Sequence, residues 1–191
     1  MGASRATHTG DGREPSGEGL WWWAVWESGS GAILDGVTAL HAAGMTGFAS
    51  PVVHVTVPTG NAAYGHTGVV LHRRRQMGPT AGAGIPRARL EVATIRAAEW
   101  AATERQAVLL VCLPVQQRLV HPQRLLDRWM ATKRSCRRAL LDKVVPDVCD
   151  GAHSLGELKF GILCRRYGLP APSRQSQSPW EWWDLRGTGG S

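Results

Sequence analysis

The sequence predicts an α+β protein in which a small sheet packs on helices and a helical half follows. Two short runs rich in β-branched residues, 52–57 and 68–72, read as strands. Beyond Val92 the apolar residues recur at helical spacing as far as Gly168. Hydrophobic residues make up 43% of the 191 residues, enough for a packed core, which excludes a wholly disordered chain. At this length the chain is one domain or two small ones.

Residues 1–18 are Gly, Ser, Thr and charged groups without apolar periodicity, so they read as a disordered lead-in. The aromatic run from Trp21 to Glu27 reads as a short helix stopped by Gly29-Ser30-Gly31. Ala32-Ile33-Leu34 leads to Asp35, an N-cap for a helix over 36–43 that ends at Gly44. The strand at 52–57 is broken by Pro58-Thr59-Gly60-Asn61 and answered by 68–72, a two-stranded unit with a long loop. A third short strand near Ile85 would complete the sheet. Helices are predicted at 93–103, 105–119, 122–131, 134–145 and 154–167, with Pro122 in a first turn and Gly168 and Pro170 as stops. The organisation expected is an α+β domain over 19–150, the first helix of a second domain over 151–170, and a polar tail over 171–191.

Charge follows this division. Of 22 Lys+Arg only three are Lys, a bias that a GC-rich genome produces unaided. The distribution is more telling: residues 1–72 carry −3, 73–143 carry +10, and 144–191 balance. Arg73, Arg74 and Arg75 follow the second strand, while Arg124, Arg128, Lys133, Arg134, Arg137 and Arg138 punctuate 122–143. Arg124 with Arg128, and Arg134 with Arg138, fall one helical turn apart, so each pair would share a face. Such a surface suits the phosphates of a polyanion; the plain alternative is a solvated, Arg-rich helix face. No aromatic residues interleave with these arginines on strands, so a stacking platform for single strands is not indicated.

Other chemistry is thinly represented. Cys112, Cys136, Cys149 and Cys164 are too few and too scattered for a disulfide framework, and read as thiols in a reducing cytoplasm. No apolar run reaches a membrane span, and the acidic residues before Leu20 argue against an export signal. His54 and His72 lie on adjacent strands but fit no metal-ligand spacing, so they read as surface or hairpin histidines. Gly82-Ala83-Gly84 lacks the rest of a dinucleotide or phosphate loop, and Ser28 and Ser154 fail the G-x-S-x-G pattern. Ser154-Leu155-Gly156-Glu157 reads as a capping box at the start of an apolar helix.

Several segments in order carry a family resemblance: Trp22-Trp23-Ala24, Gly31-Ala32-Ile33-Leu34-Asp35-Gly36-Val37-Thr38-Ala39-Leu40, Val53-His54-Val55-Thr56-Val57-Pro58 and Gly68-Val69-Val70-Leu71-His72-Arg73. Ala93-Thr94-Ile95-Arg96-Ala97-Ala98 and the run from Asp150 to Leu158, then Gly168-Leu169-Pro170, extend it over about 21–175. Together they resemble an actinobacterial family that joins an AbiEi-antitoxin-like front half to a nuclease domain like the very-short-patch-repair endonucleases. The resemblance implies a winged helix-turn-helix before the Trp-rich helix, where this chain has only 1–18. It also implies, after Pro170, carboxylate-bearing strands that hold a divalent ion against the scissile phosphate. Only Glu181 and Asp184 follow here.

Glu157 matches the acidic residue on the family's first nuclease helix, as a remnant. Mg²⁺ is expected only in full-length relatives, and no cofactor in this chain. The resemblance therefore implies that the chain corresponds to the middle of a longer protein. The function expected is that of a non-catalytic, DNA-associated remnant, cytoplasmic, binding duplex DNA weakly and without sequence preference. A partial endonuclease with residual metal-dependent cleavage, and a pseudogene product with no selected role, stand as alternatives.

Overall fold

The computed structural model describes residues 17–63, 65–153 and 165–169. The element order is α1 (Glu18–Glu27), β1 (Ile33–Leu34), α2 (Gly36–His41), β2 (Val53–Pro58), β3 (Val69–Arg74), α3 (Leu90–Trp100), α4 (Glu104–Gln116), α5 (Pro122–Met130) and α6 (Arg138–His153). This is an α+β fold, with one three-stranded sheet in the order β1-β2-β3. No helix among the described residues is long and apolar enough to cross a membrane. The Ser154–Glu157 box, most of the helix at 154–167, Cys164 and the tail at 171–191 lie outside the described residues.

The sheet differs from the sequence expectation in two ways. β2 and β3 pair in parallel, Val53 opposite Val69 and Pro58 opposite Arg74, so the two strands do not form a hairpin. A parallel pair requires the chain to return to its starting end before pairing. The segment 59–68 does this, held by hydrogen bonds from Asn61 Nδ2 to the Ser30 carbonyl (2.7 Å) and from Arg73 Nη1 to the Asn61 carbonyl (3.0 Å). The third strand is not at Ile85 but at Ile33–Leu34, antiparallel to β2. The segment after Ile85 contributes an isolated bridge, Leu34 with Arg87, because Pro86 has no N–H to extend a ladder.

Two cores share one wall. Ala24, Leu34, Leu40, Val55 and Val57 pack with Val92, Ala93 and Ala97 of α3. On its other side α3 gives Ile95 and Ala98 to a helical core with Val111, Leu125, Trp129, Leu141 and Val144. Every residue from Val92 to Ala98 is therefore buried, Arg96 included. α5 shows the one-sided pattern: Leu125 and Trp129 face inward and the charged residues between them face out.

The helix starts obey local chemistry. Asp35 caps α2, its carboxylate accepting from the Gly36 N–H at 2.8 Å, and Thr103 Oγ1 caps α4 by accepting from the Gln106 N–H. Pro122 stands in the first turn of α5 as expected. α6 begins only at Arg138, four residues later than predicted, and runs on through Pro146. Residues 132–135 belong to neither helix nor strand, and Ser135 Oγ accepts from the Arg137 N–H at 3.3 Å. Arg134 and Arg138 consequently do not share a helical face.

Candidate nucleic-acid interface

The candidate site grows from the end of β3, an edge strand. Side chains alternate along a strand, so His72 and Arg74 project from one face, together with His54 and Thr56 of β2. Trp100, the last residue of α3, lies against that face. The His72 ring stacks on it with centroids 3.4 Å apart, and His54 Nδ1 meets His72 Nε2 at 3.0 Å, one ring nitrogen donating to the other. Burial holds His72 down to about 4, with like charge from His54, Arg74 and Arg96 adding to it; burial also lowers His54, against the opposing pull of Asp35. Both rings are neutral at neutral pH.

Beneath them lies a buried ion pair. Arg96 Nη1 donates to Asp35 Oδ2, which also accepts from Thr56 Oγ1 at 2.6 Å, and Arg96 Nη2 donates to the Met77 carbonyl at 2.8 Å. Each ion is nearly inaccessible to water. The pair ties α2, β2, α3 and the loop after β3 into one block, the floor on which the surface arginines stand.

Above this floor, between the end of β3, α3 and α5, runs an open groove of about 600 Å³. Arg73, Arg74 and Arg75 line it from the strand end, Arg128 from α5 and Arg134 from the loop at 132–135, with Glu99 the one acidic residue among them. Five of the nine cations singled out in the sequence thus converge from three places in the chain.

Their side chains are not equivalent. Arg73 donates to the carbonyls of Asn61 and Ala63. Arg74 pairs with Glu99 at 3.6 Å and sits 5.8 Å from the Trp100 ring centroid. Arg75, Arg128 and Arg134 have no hydrogen-bond or ion-pair partner among the described residues, and Arg75 and Arg134 are exposed. Arg124 lies outside this groove, in a neighbouring one that Arg128 also lines, and Lys133 is exposed on the loop between α5 and α6.

Arg137 and Arg138 turn inward. Arg137 Nη2 donates to the Ala101 carbonyl at the end of α3. Arg138 donates to the Thr132 carbonyl, pairs with Asp142 at 3.0 Å and lies 4.5 Å from the Trp129 ring centroid. These two fasten α6 to its neighbours, a role that charge counting alone does not reveal. Arg89 was missed by the sequence reading. The Arg87-Ala88-Arg89 alternation before α3 was the available signal.

Among the described residues no three His, Cys, Asp or Glu side chains cluster, and Asp35 and Glu99, the carboxylates nearest the groove, each face an arginine. The nitrogens of His54 and His72 point at each other rather than at a common third position, with Arg74 and Arg96 beside them. Glu157 lies outside the described residues. Comparison with protein-family models, characterised proteins and solved structures finds no match to the chain.

Proposed function

We propose that this chain is a non-catalytic, duplex-DNA-associated protein that grips phosphates through the groove of Arg75, Arg128 and Arg134. The observation that carries the reading is the convergence on one groove of three guanidiniums that have no partner among the described residues. Guanidiniums already bound to protein carbonyls gain little by meeting a phosphate, whereas unpartnered ones exchange only water and counterions for it. Three exposed or half-buried cations on a shallow, open groove suit phosphate contacts, which carry no sequence information, so the binding is taken as weak and independent of sequence. The reading agrees with the resemblance to antitoxin-like and endonuclease-like proteins, whose DNA association it keeps without their chemistry.

The test is the salt dependence of duplex binding followed by fluorescence anisotropy. Each neutralised phosphate contributes about 0.9 to the slope of log K against log salt. Arg75→Ala with Arg134→Ala should flatten that slope by roughly 1.8. Arg137→Ala should lower the melting temperature and leave the slope nearly unchanged, since its guanidinium is bound within the fold. Absence of binding at low salt defeats the proposal, and cleavage of the duplex by pure protein with Mg²⁺ defeats its non-catalytic part.

A further inference from the structure

The groove does not stand alone. A second groove of about 770 Å³ lies along the other side of α5, lined by Arg87, Arg89, Arg124 and Arg128 with Glu91 and Asp127. Arg128 belongs to both grooves. In the second, Arg89 and Arg124 are exposed and have no side-chain partner among the described residues, while Asp127 accepts a hydrogen bond from Gln123 at 2.8 Å. Arg87 Nη1 is bound to the carbonyls of Ala83 and Ile85. Its Nε has no acceptor among the described residues and is closed to solvent, so the groove offers a ligand Arg89, Arg124 and Arg128 alone.

From this we infer that the two grooves form one phosphate track across α5, with Arg128 as the shared contact and Arg89 and Arg124 as a second subsite for the duplex backbone. The inference rests on the DNA-binding reading and extends it to residues that reading does not need. Arg124 and Arg128 stand one turn apart on α5, about 6 Å along the helix axis, comparable with two rises of about 3.4 Å along the axis of a duplex. The helix therefore presents its cations at a spacing that one strand can follow from one groove into the next. Glu91 and Asp127 border the second groove and make it the weaker half.

The experiment uses the full chain and an end-labelled duplex of mixed sequence, titrated at several salt concentrations. Three proteins are compared: the native chain, Arg75→Ala/Arg134→Ala, and Arg89→Ala/Arg124→Ala. All the replaced side chains are exposed, and circular dichroism confirms that each variant is folded. The track predicts that both double variants flatten the salt slope by roughly 1.8, because each loses two phosphate contacts. A slope that flattens for the first double variant but not for Arg89→Ala/Arg124→Ala overturns the track and leaves the single groove standing. No binding by the native chain at low salt overturns both.

Discussion

Asp35→Asn is the perturbation to which the described structure should be most sensitive. Asp35 is fully buried and accepts three hydrogen bonds, from the Gly36 N–H, Thr56 Oγ1 and Arg96 Nη1. Asparagine keeps the shape and remains an accepted N-cap residue, so the loss at the start of α2 is small. What disappears is the negative charge beside Arg96, itself only 5% exposed, whose remaining fixed contact is the Met77 carbonyl. Removing one partner of a buried pair costs about 3–5 kcal/mol, because the other charge stays desolvated and uncompensated. That is a large share of the ~5–15 kcal/mol that holds a domain folded.

Urea unfolding followed by far-UV circular dichroism reads it directly. With a slope of about 2 kcal/mol/M, the midpoint should fall by roughly 1.5–2.5 M. The decisive arm is the cycle with Arg96→Met. A buried pair replaced on both sides loses far less than the two single changes summed, so the cycle should show a coupling of about 2–3 kcal/mol. Single losses below about 1 kcal/mol, or additivity within about 0.5 kcal/mol, would refute the argument that this pair holds the floor of the groove.

Two further predictions concern the layer above that floor. His72 titrates near 4 in the folded chain but near 6.5 when unfolded, so between those values the unfolded chain takes up a proton that the folded one refuses. Stability should therefore fall as pH drops from about 6.5 toward 4. The fall in melting temperature should be shallower in His72→Gln, and identical pH slopes would count against the assignment. Gly36 adopts φ +51°, and a Cβ there would lie 2.6 Å from the Trp100 ring. Gly36→Ala should thus cost roughly 2–4 kcal/mol in urea unfolding, combining left-handed strain with overpacking against the ring; a loss under about 1 kcal/mol would show that Trp100 moves aside freely.

What was legible in the sequence divides along physical lines. Local signals were read well: Asp35 before α2, Pro122 at the start of α5, and the β-branched runs of β2 and β3 are each dictated by residues within a few positions. Strand pairing was not, because the direction of β3 relative to β2 is set by where the 59–68 loop is pinned. That pinning uses Ser30 and Arg73, far apart in sequence. β1 escaped notice because two residues, Ile33 and Leu34, show no alternation. The late start of α6 follows from Ser135 and from the Arg138 contact with the Thr132 carbonyl, a competition that helical spacing does not register. The charge map singled out the stretch 73–143, but the partners of individual arginines were invisible to it.

That last difference changes the expected strength of binding. Nine cations at about 0.9 each would give a salt slope of roughly −8. Arg73, Arg74, Arg137 and Arg138 are already held by carbonyls, Glu99, Asp142 or aromatic rings, so a phosphate would have to displace those contacts. The five that remain of the nine are Arg75, Arg124, Lys133, Arg128 and Arg134. They set the slope nearer −4 to −5, and Arg89 would add about one unit more. The fold thus uses nearly half of its most conspicuous positive charge to fasten β3 to its loop and α6 to α3. It leaves the rest where the edge strand, the loop at 132–135 and the outer face of α5 meet. A measured slope near −8 would mean that the inward-turned arginines are released on binding, with rearrangement around Ala101 and Thr132; a slope between −4 and −6 would mean that the surface binds as it stands.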